Sequence, residues 1–233
     1  MEKPIIILIA TAVVAVLALI IGFTVEKKGN RKHIRLTKGQ VGEYYAFRNL
    51  QAVPGNKGML SNVYIPKLNG QMTEIDCIMI HQKGLFVIES KNRAGHIFGS
   101  PDDQNWTQVL RRGIHNTFYN PVKQNDGHVK FLKEYISRNT QGKYGNIPVY
   151  SVIAFGPNAD ILNVKLNGLQ FKNTFIVNTE HIAITVTNIV NSIQQDCFSP
   201  ENVAELYNLL SPLINVTEEQ KLQHIENIKN YKK

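Results

Sequence analysis

The chain of 233 residues is poor in cysteine, with Cys77 and Cys197 far apart and outside any CxxC or Cys/His spacing. That excludes a zinc-ribbon type of site and a disulfide framework, and it fits a reducing compartment. Tryptophan occurs once, and no internal repeat or low-complexity tract is present, which excludes a solenoid or an array. Acids are the minority charge, 18 against 26 lysines and arginines. The resulting net charge of +8 favours polyanionic partners, nucleic acid or an anionic membrane surface, and says nothing about fold. With 43% hydrophobic and 19% charged residues, the chain is globular and able to bury a core.

Charge is missing altogether from Pro4 to Phe23, "PIIILIATAVVAVLALIIGF". About 20 apolar residues at a rise of 1.5 Å cross a hydrocarbon core of roughly 30 Å, so residues 1–25 are predicted to be a transmembrane anchor. A cleaved signal peptide fits less well. The run is longer than a usual signal core, "MEK" is barely basic, and no obvious cleavage site precedes "EKKGNRK". Lys27, Lys28, Arg31, Lys32, Arg35 and Lys38 follow the span against one acid, Glu26. Residues 26–37 therefore read as a basic juxtamembrane linker, and the positive-inside rule places the rest of a single-pass protein of the cell membrane in the cytoplasm.

Thr37 followed by Gln40 is a capping-box signature and predicts a helix over 38–52, stopped by Pro54 and Gly55. "MLSNVYIP", "TEIDCIMIH" and "GLFVIESK" read as three strands, the last two joined by a tight turn at Gln82, Lys83 and Gly84. The polar, glycine-bearing stretch "NRAGHIFGSPDDQNWTQV" leads to a second helix over 121–138, opened by Asn120 and Pro121. "IPVYSVIAF" reads as a buried strand and "NTFIVN" as another; three helices are predicted from residue 179 onward.

The second and third strands carry charges where valine and isoleucine are expected: Glu74, Asp76, Glu89 and Lys91. If the turn is even, His81 lies opposite Gly84, Asp76 opposite Glu89 and Glu74 opposite Lys91, all on one face. Directly opposed cross-strand Cβ atoms are about 4.5–5.5 Å apart, and like charges there destabilise. Asp76 and Glu89 then need a cation, and Mg²⁺ or Mn²⁺ suits carboxylates, carbonyls and water. Lys91 on the same face is placed to orient a water or a phosphate. A three-residue turn with a glycine bulge instead sends Asp76 and Glu89 to opposite faces. The bland alternative is a set of structural charges at a sheet edge. Against it, Ile78, Ile80, Leu85 and Val87 share the charged face, while Ile75, Cys77, Met79, Phe86 and Ile88 line the other. Strands apolar on both faces are usually covered on both, and unpaired acids there are costly to desolvate.

Asp76, twelve intervening residues and then Glu89-Ser90-Lys91 resemble the D-x(12)-E-x-K form of the PD-(D/E)XK nuclease motif. With "GQVGEYYAFRNL", the hairpin through "KNRAGHIFG", the Trp106 region and "FYNPVKQNDGHVKFL", the ordered set resembles a NERD (nuclease-related) domain over roughly residues 38–150. The resemblance implies an α/β, restriction-endonuclease-like αβββαβ core with a mixed central sheet flanked by helices, here preceded by the transmembrane helix. It implies that Glu43 is the helix acid, that Asp76, Glu89 and the Ser90 main-chain carbonyl hold Mg²⁺ or Mn²⁺, and that Lys91 is the catalytic lysine. The chain departs from the older signature in lacking a proline near Asp76 and in carrying polar Ser90 at the variable position. The domain is placed at 38–178, with a helical extension over 179–233.

Gln124 and His128 are four apart on the second helix and share a face; with Arg93 and Lys123 they are the candidate nucleic-acid contacts, and in related branches the resemblance extends to a functional glutamine on that helix. Trp106, Phe118 and Cys77 read as core. The expected function is a membrane-anchored, metal-dependent nuclease-like protein hydrolysing phosphodiester bonds in DNA or RNA, and of the two DNA is the more expected partner. The alternatives are an inactive module of the same fold that binds nucleic acid or a protein partner at the membrane, and a scaffold whose last helices bind a partner.

Overall fold

The computed structural model describes residues 36–166 and 172–217, with Glu219 and Glu226. The predicted anchor and nearly all of the linker and of the last predicted helix lie outside the described residues. Among the described residues no helix is long and apolar enough to cross a membrane. From Thr37 onward the described residues form one compact unit.

Helix α1 (Lys38–Leu50) starts where the sequence places it: the Thr37 side chain accepts from the Gln40 N–H, and the Gln40 side chain accepts from the Thr37 N–H. Three strands follow, β1 (Lys57–Pro66), β2 (Met72–His81) and β3 (Gly84–Lys91). The turn between β2 and β3 is Gln82-Lys83. His81 pairs with Gly84, Ile80 with Leu85 and Cys77 with Ile88, which is the even register. Gly84 has φ +138°, and a Cβ there meets the Pro148 carbonyl at 2.8 Å, so the position demands glycine.

Helix α2 (Pro121–Asn139) is capped by Asn120, whose Oδ1 accepts from the Val122 N–H, with Pro121 in its first turn. It returns the chain to β7 (Val149–Phe155), which lies parallel to β3, and β9 (Thr174–Asn178) lies parallel to β7. The central sheet is therefore mixed, in the order β1-β2-β3-β7-β9. Helices α3 (Ile182–Ser192) and α4 (Pro200–Leu210) follow. On one face Leu132 and Ile136 of α2 and Val203, Leu206 and Leu210 of α4 cover Ile78, Ile80, Leu85 and Val87. On the other, Ala46 and Leu50 of α1 and Ile182 and Val186 of α3 cover Cys77, Met79, Phe86 and Ile88. Ile75 differs from its expected place, joining the α2 side with the neighbouring β1 residues Val63 and Ile65. Each fully buried valine, leucine, isoleucine, methionine or phenylalanine among them contributes about 1.5–3 kcal/mol, which makes β2 and β3 a rigid floor. The buried faces of α3 and α4 are thus packed on the sheet.

The stretch expected to be an irregular lead-in to α2 is instead a second sheet. Strands β4 (Gly95–Gly99), β5 (Asn105–Val109), β6 (His115–Tyr119) and β8 (Ala159–Val164) form it in the order β6-β5-β4-β8. Most of these strands have five residues and bury one or two of them, too few for alternation to register in the sequence. Ile97, Trp106 and Phe118 pack with Val122, Ile153 and Phe155, and Trp106 stacks on Phe155 at 6.3 Å, so both aromatics are core as expected.

Gly42 fixes how closely α1 sits on the sheet. A Cβ there meets Asn92 Cβ at 2.8 Å and Ser90 Oγ at 2.9 Å. Alanine is the better helix former by about 1 kcal/mol, but displacing two atoms next to the backbone costs about 1–3 kcal/mol. Gly42→Ala is therefore expected to lower the thermal unfolding midpoint; an increase would show that α1 is free to shift.

Candidate active site

The central sheet forks where the acids sit. β2 stays paired with β1 as far as Met72, and β3 stays paired with β7 as far as Lys91, but β2 and β3 pair only up to Cys77 and Ile88. A continued ladder carries the Ser90 N–H to the Ile75 carbonyl. Here it donates to Asp76 Oδ2 at 2.7 Å. A strand residue directs its N–H and C=O to the same side, so the Ser90 carbonyl also faces the fork.

Glu89 is buried, its side chain 2% exposed, and both its oxygens are engaged. Oε1 accepts from Lys91 Nζ, and Oε2 lies 3.1 Å from His128 Nε2. Lys91 Nζ also donates to Gln124 Oε1 at 3.1 Å. His128 Nδ1 lies 2.9 Å from the Thr73 hydroxyl. A carboxylate only accepts, so in a neutral ring His128 donates from Nε2 to Glu89 and accepts at Nδ1 from Thr73. Thr73 is the residue that the sequence did not mark; it stands three positions before Asp76 and looks like any β-branched strand residue.

The charges of the fork are driven apart. Asp76, which keeps part of its surface in solvent, is pushed well above its ordinary value, first by burial and then by the charge of Glu89, with the Ser90 N–H acting the other way. Glu43 on α1 is raised too, by burial and then by Glu74 and Glu89. Burial also pushes Glu89 up, but Lys91 and His128 outweigh it and hold that carboxyl low. Neighbouring acids with opposed shifts are the usual raw material of acid–base and metal chemistry. Cys77 points to the other face, where burial raises its thiol far above the usual range, so it is core.

The sequence-derived candidates divide accordingly. Glu43, Asp76, Glu89, Ser90, Lys91 and Gln124 converge on the fork. Glu74 does not oppose Lys91 as expected: the strands have already parted, and Glu74 accepts from the Tyr64 hydroxyl at 2.8 Å. His128 is 6% exposed behind Glu89, which replaces its expected contact with a polyanion by a role in holding that acid. Lys123 turns away, its Nζ donating to the Asp102 carbonyl at 2.7 Å. Arg93 lies past the end of β3, bonded to Gln108.

The donor chemistry fits a small hard cation. Among the described residues no group of three acidic, histidine or cysteine side chains is close enough to encage a metal. What remains, the carboxylates of Asp76 and Glu89 with a main-chain carbonyl, is the sparse oxygen set of an ion that keeps much of its water, as Mg²⁺ does. A cation there also offsets the charge that raises Asp76 and Glu43.

An uncharacterized protein of Bacillus anthracis is 33% identical to this chain over 141 residues, which cover 60% of this chain and 63% of that protein's length. Among solved structures, the small subunit of the heterodimeric restriction endonuclease R.BspD6I aligns with a TM-score of 0.30 and 12% identity, over 82% of this chain and 89% of that one. The nuclease-related domain matches residues 38–156, which include α1, the forked hairpin, α2 and β7. The chain belongs to this nuclease-related domain family, NERD.

Proposed function

We propose that the protein is a metal-dependent phosphodiester hydrolase of the PD-(D/E)XK type, with a restriction-endonuclease-like core, acting on DNA or RNA. The observation that carries this reading is the fork that gathers Glu43, Asp76, Glu89 and Lys91 in a family related to nucleases. Asp76, Glu89 and the Ser90 carbonyl would hold Mg²⁺ or Mn²⁺. When bound, such an ion supplies Lewis acidity and neutralises charge on the phosphoryl group. Lys91, held between Glu89 and Gln124, presents its ammonium to the attacking water or to a phosphate oxygen. Gln124 keeps Lys91 extended, while Thr73 and His128 keep Glu89 in place. Glu43 faces the cluster from α1, its raised affinity for a proton suiting it to hold or pass one.

Residues 1–25 anchor this domain to the cell membrane in a single pass, with the domain on the cytoplasmic side; the charge-free run and the six basic residues after it support that placement. A second reading, a non-catalytic module binding nucleic acid or a protein partner at the membrane, draws on Glu89 having both oxygens already engaged. Incubation of the full chain in detergent with linear, nicked and single-stranded DNA and with RNA separates the two. Cleavage with Mg²⁺ or Mn²⁺ and none with EDTA is the expected result. Metal-independent binding with no cleavage of any substrate favours the module.

A further inference from the structure

Beside the fork lies a pocket of about 580 Å³ whose walls include the first turn of α1 and the residues just past the ends of β3 and β7. Among the described residues its charged lining is Lys38, Lys91 and Arg93, with no acid. Arg93 is held stiffly. One arm of its guanidinium donates to Gln108 Oε1 at 3.0 Å, and the group sits 4.0 Å from the centre of the Phe118 ring. Gln108 is itself tied by its amide to the Ala94 carbonyl at 2.6 Å. Among the described residues Arg93 has no carboxylate partner within ion-pair distance. A half-buried, stacked guanidinium without a counter-ion is costly to desolvate, as the lowering of its proton affinity by burial shows.

Three further features favour an anion in this space. Lys38 and Gly39 open α1, so the positive end of a 13-residue helix is part of the wall. The Ser90 hydroxyl, in a residue of the same lining, is buried against Gly42 of α1 and has no hydrogen-bond partner among the described residues. The chain turns sharply at the pocket, where the Arg93 N–H donates to the Lys91 carbonyl at 2.7 Å, so Arg93 follows directly on the lysine of the fork.

We propose that this pocket binds a backbone phosphate of the nucleic-acid strand adjoining the one at the fork, with Arg93 as a planar, two-pronged donor and Lys38 with the α1 terminus as the opposite wall. The inference rests on the nuclease-related reading of the site and adds where the strand runs: past Lys91 toward the second sheet. Arginine suits this task because its fork matches phosphate oxygens in a fixed geometry.

The test measures binding of a fluorescein-labelled DNA oligonucleotide to the full chain in EDTA over a range of salt concentrations. Each phosphate contact contributes about 0.7–0.9 to the slope of log affinity against log salt. Arg93→Ala is expected to weaken binding roughly tenfold or more and to lower the slope by about that amount per contact. Lys38→Glu is the second variant, since an acid suits the first turn of a helix and so preserves the fold while placing a negative charge in the pocket. It too is expected to weaken binding and flatten the slope. Wild-type affinity and slope in Lys38→Glu, or in a folded Arg93→Ala, overturn the pocket, as does a wild-type chain that binds no DNA. Because no metal is present, the outcome is independent of the cleavage assay. A chain that cleaves but shows unchanged slopes loses only the pocket; one that shows the slope changes but never cleaves loses only the catalysis.

Discussion

Asp76→Asn is expected to abolish metal-dependent cleavage, by on the order of a thousandfold, and at the same time to raise the thermal unfolding midpoint. The two effects share one cause. The carboxylate that a cation needs is, without one, a partly buried charge beside Glu89 and within the field of Glu43. Asparagine keeps the acceptor for the Ser90 N–H and removes the charge. The gain is about 1 kcal/mol or more, or roughly 2–4 °C for a domain of this size. Gains in stability from changes at a functional site are the familiar mark of a strained constellation.

The pH dependence follows from the direction of the shift. The folded state holds the Asp76 proton more tightly than the unfolded chain, whose ordinary value is 3.8. The contribution of Asp76 to stability is therefore fully present below that value and is lost as pH rises through the folded-state value. The advantage of Asp76→Asn in unfolding midpoint is expected to be larger at pH 8 than at pH 4. An equal or lower midpoint at pH 8 would show that Asp76 is not under charge strain, and residual cleavage near the wild-type rate would remove it from the metal set.

How far the sequence could be read depends on where the constraints were local. Thr37 with Gln40, and Asn120 with Pro121, start their helices with contacts three residues long or less, and those starts were legible. The even register of the hairpin was legible only as one of two choices. What settles it lies far along the chain: the N–H groups of Cys197 and Phe198 both donate to the Gln82 carbonyl, and Asp196 pairs with Lys83 at 2.9 Å. The fork was not legible at all. Periodicity assumes that paired strands stay paired, whereas β2 follows β1 and β3 follows β7, so that Glu74 ends on Tyr64 and not on Lys91. The second sheet was hidden for a different reason, since its strands are short and owe their burial to Trp106 and Phe118 meeting Phe155 of β7, nearly fifty residues away from Trp106.

Those non-local contacts also explain why the acids of the fork differ so much. Asp76 lies at the open mouth, with one main-chain N–H for company. Glu89 lies behind it, clasped by Lys91 from its own strand and by His128 from α2. A sequence reader sees two equivalent carboxylates; the fold makes one strained and the other satisfied.

Glu89→Gln is accordingly expected to act in the opposite direction on stability while sharing the loss of activity. The substitution leaves the ammonium of Lys91, whose side chain is 20% exposed, facing an amide in place of a carboxylate. Breaking a buried pair from one side costs about 3–5 kcal/mol, and the partial exposure of Lys91 places this case near 3 kcal/mol, a fall of about 6–12 °C. Glu89 is held below its ordinary value of 4.5, so the stability it contributes is present above that pH and is lost as pH falls through the folded-state value. The gap between wild type and variant should therefore narrow on acidification. Adding Lys91→Met removes the stranded charge, and the double variant is expected to recover much of the lost stability without regaining cleavage. Recovery of stability alone assigns Glu89 and Lys91 one structural bond and, separately, a shared part in the chemistry. A Glu89→Gln chain as stable as wild type at pH 7 would mean that Lys91 is not its partner in solution, and that the lysine is free to face the phosphate without it.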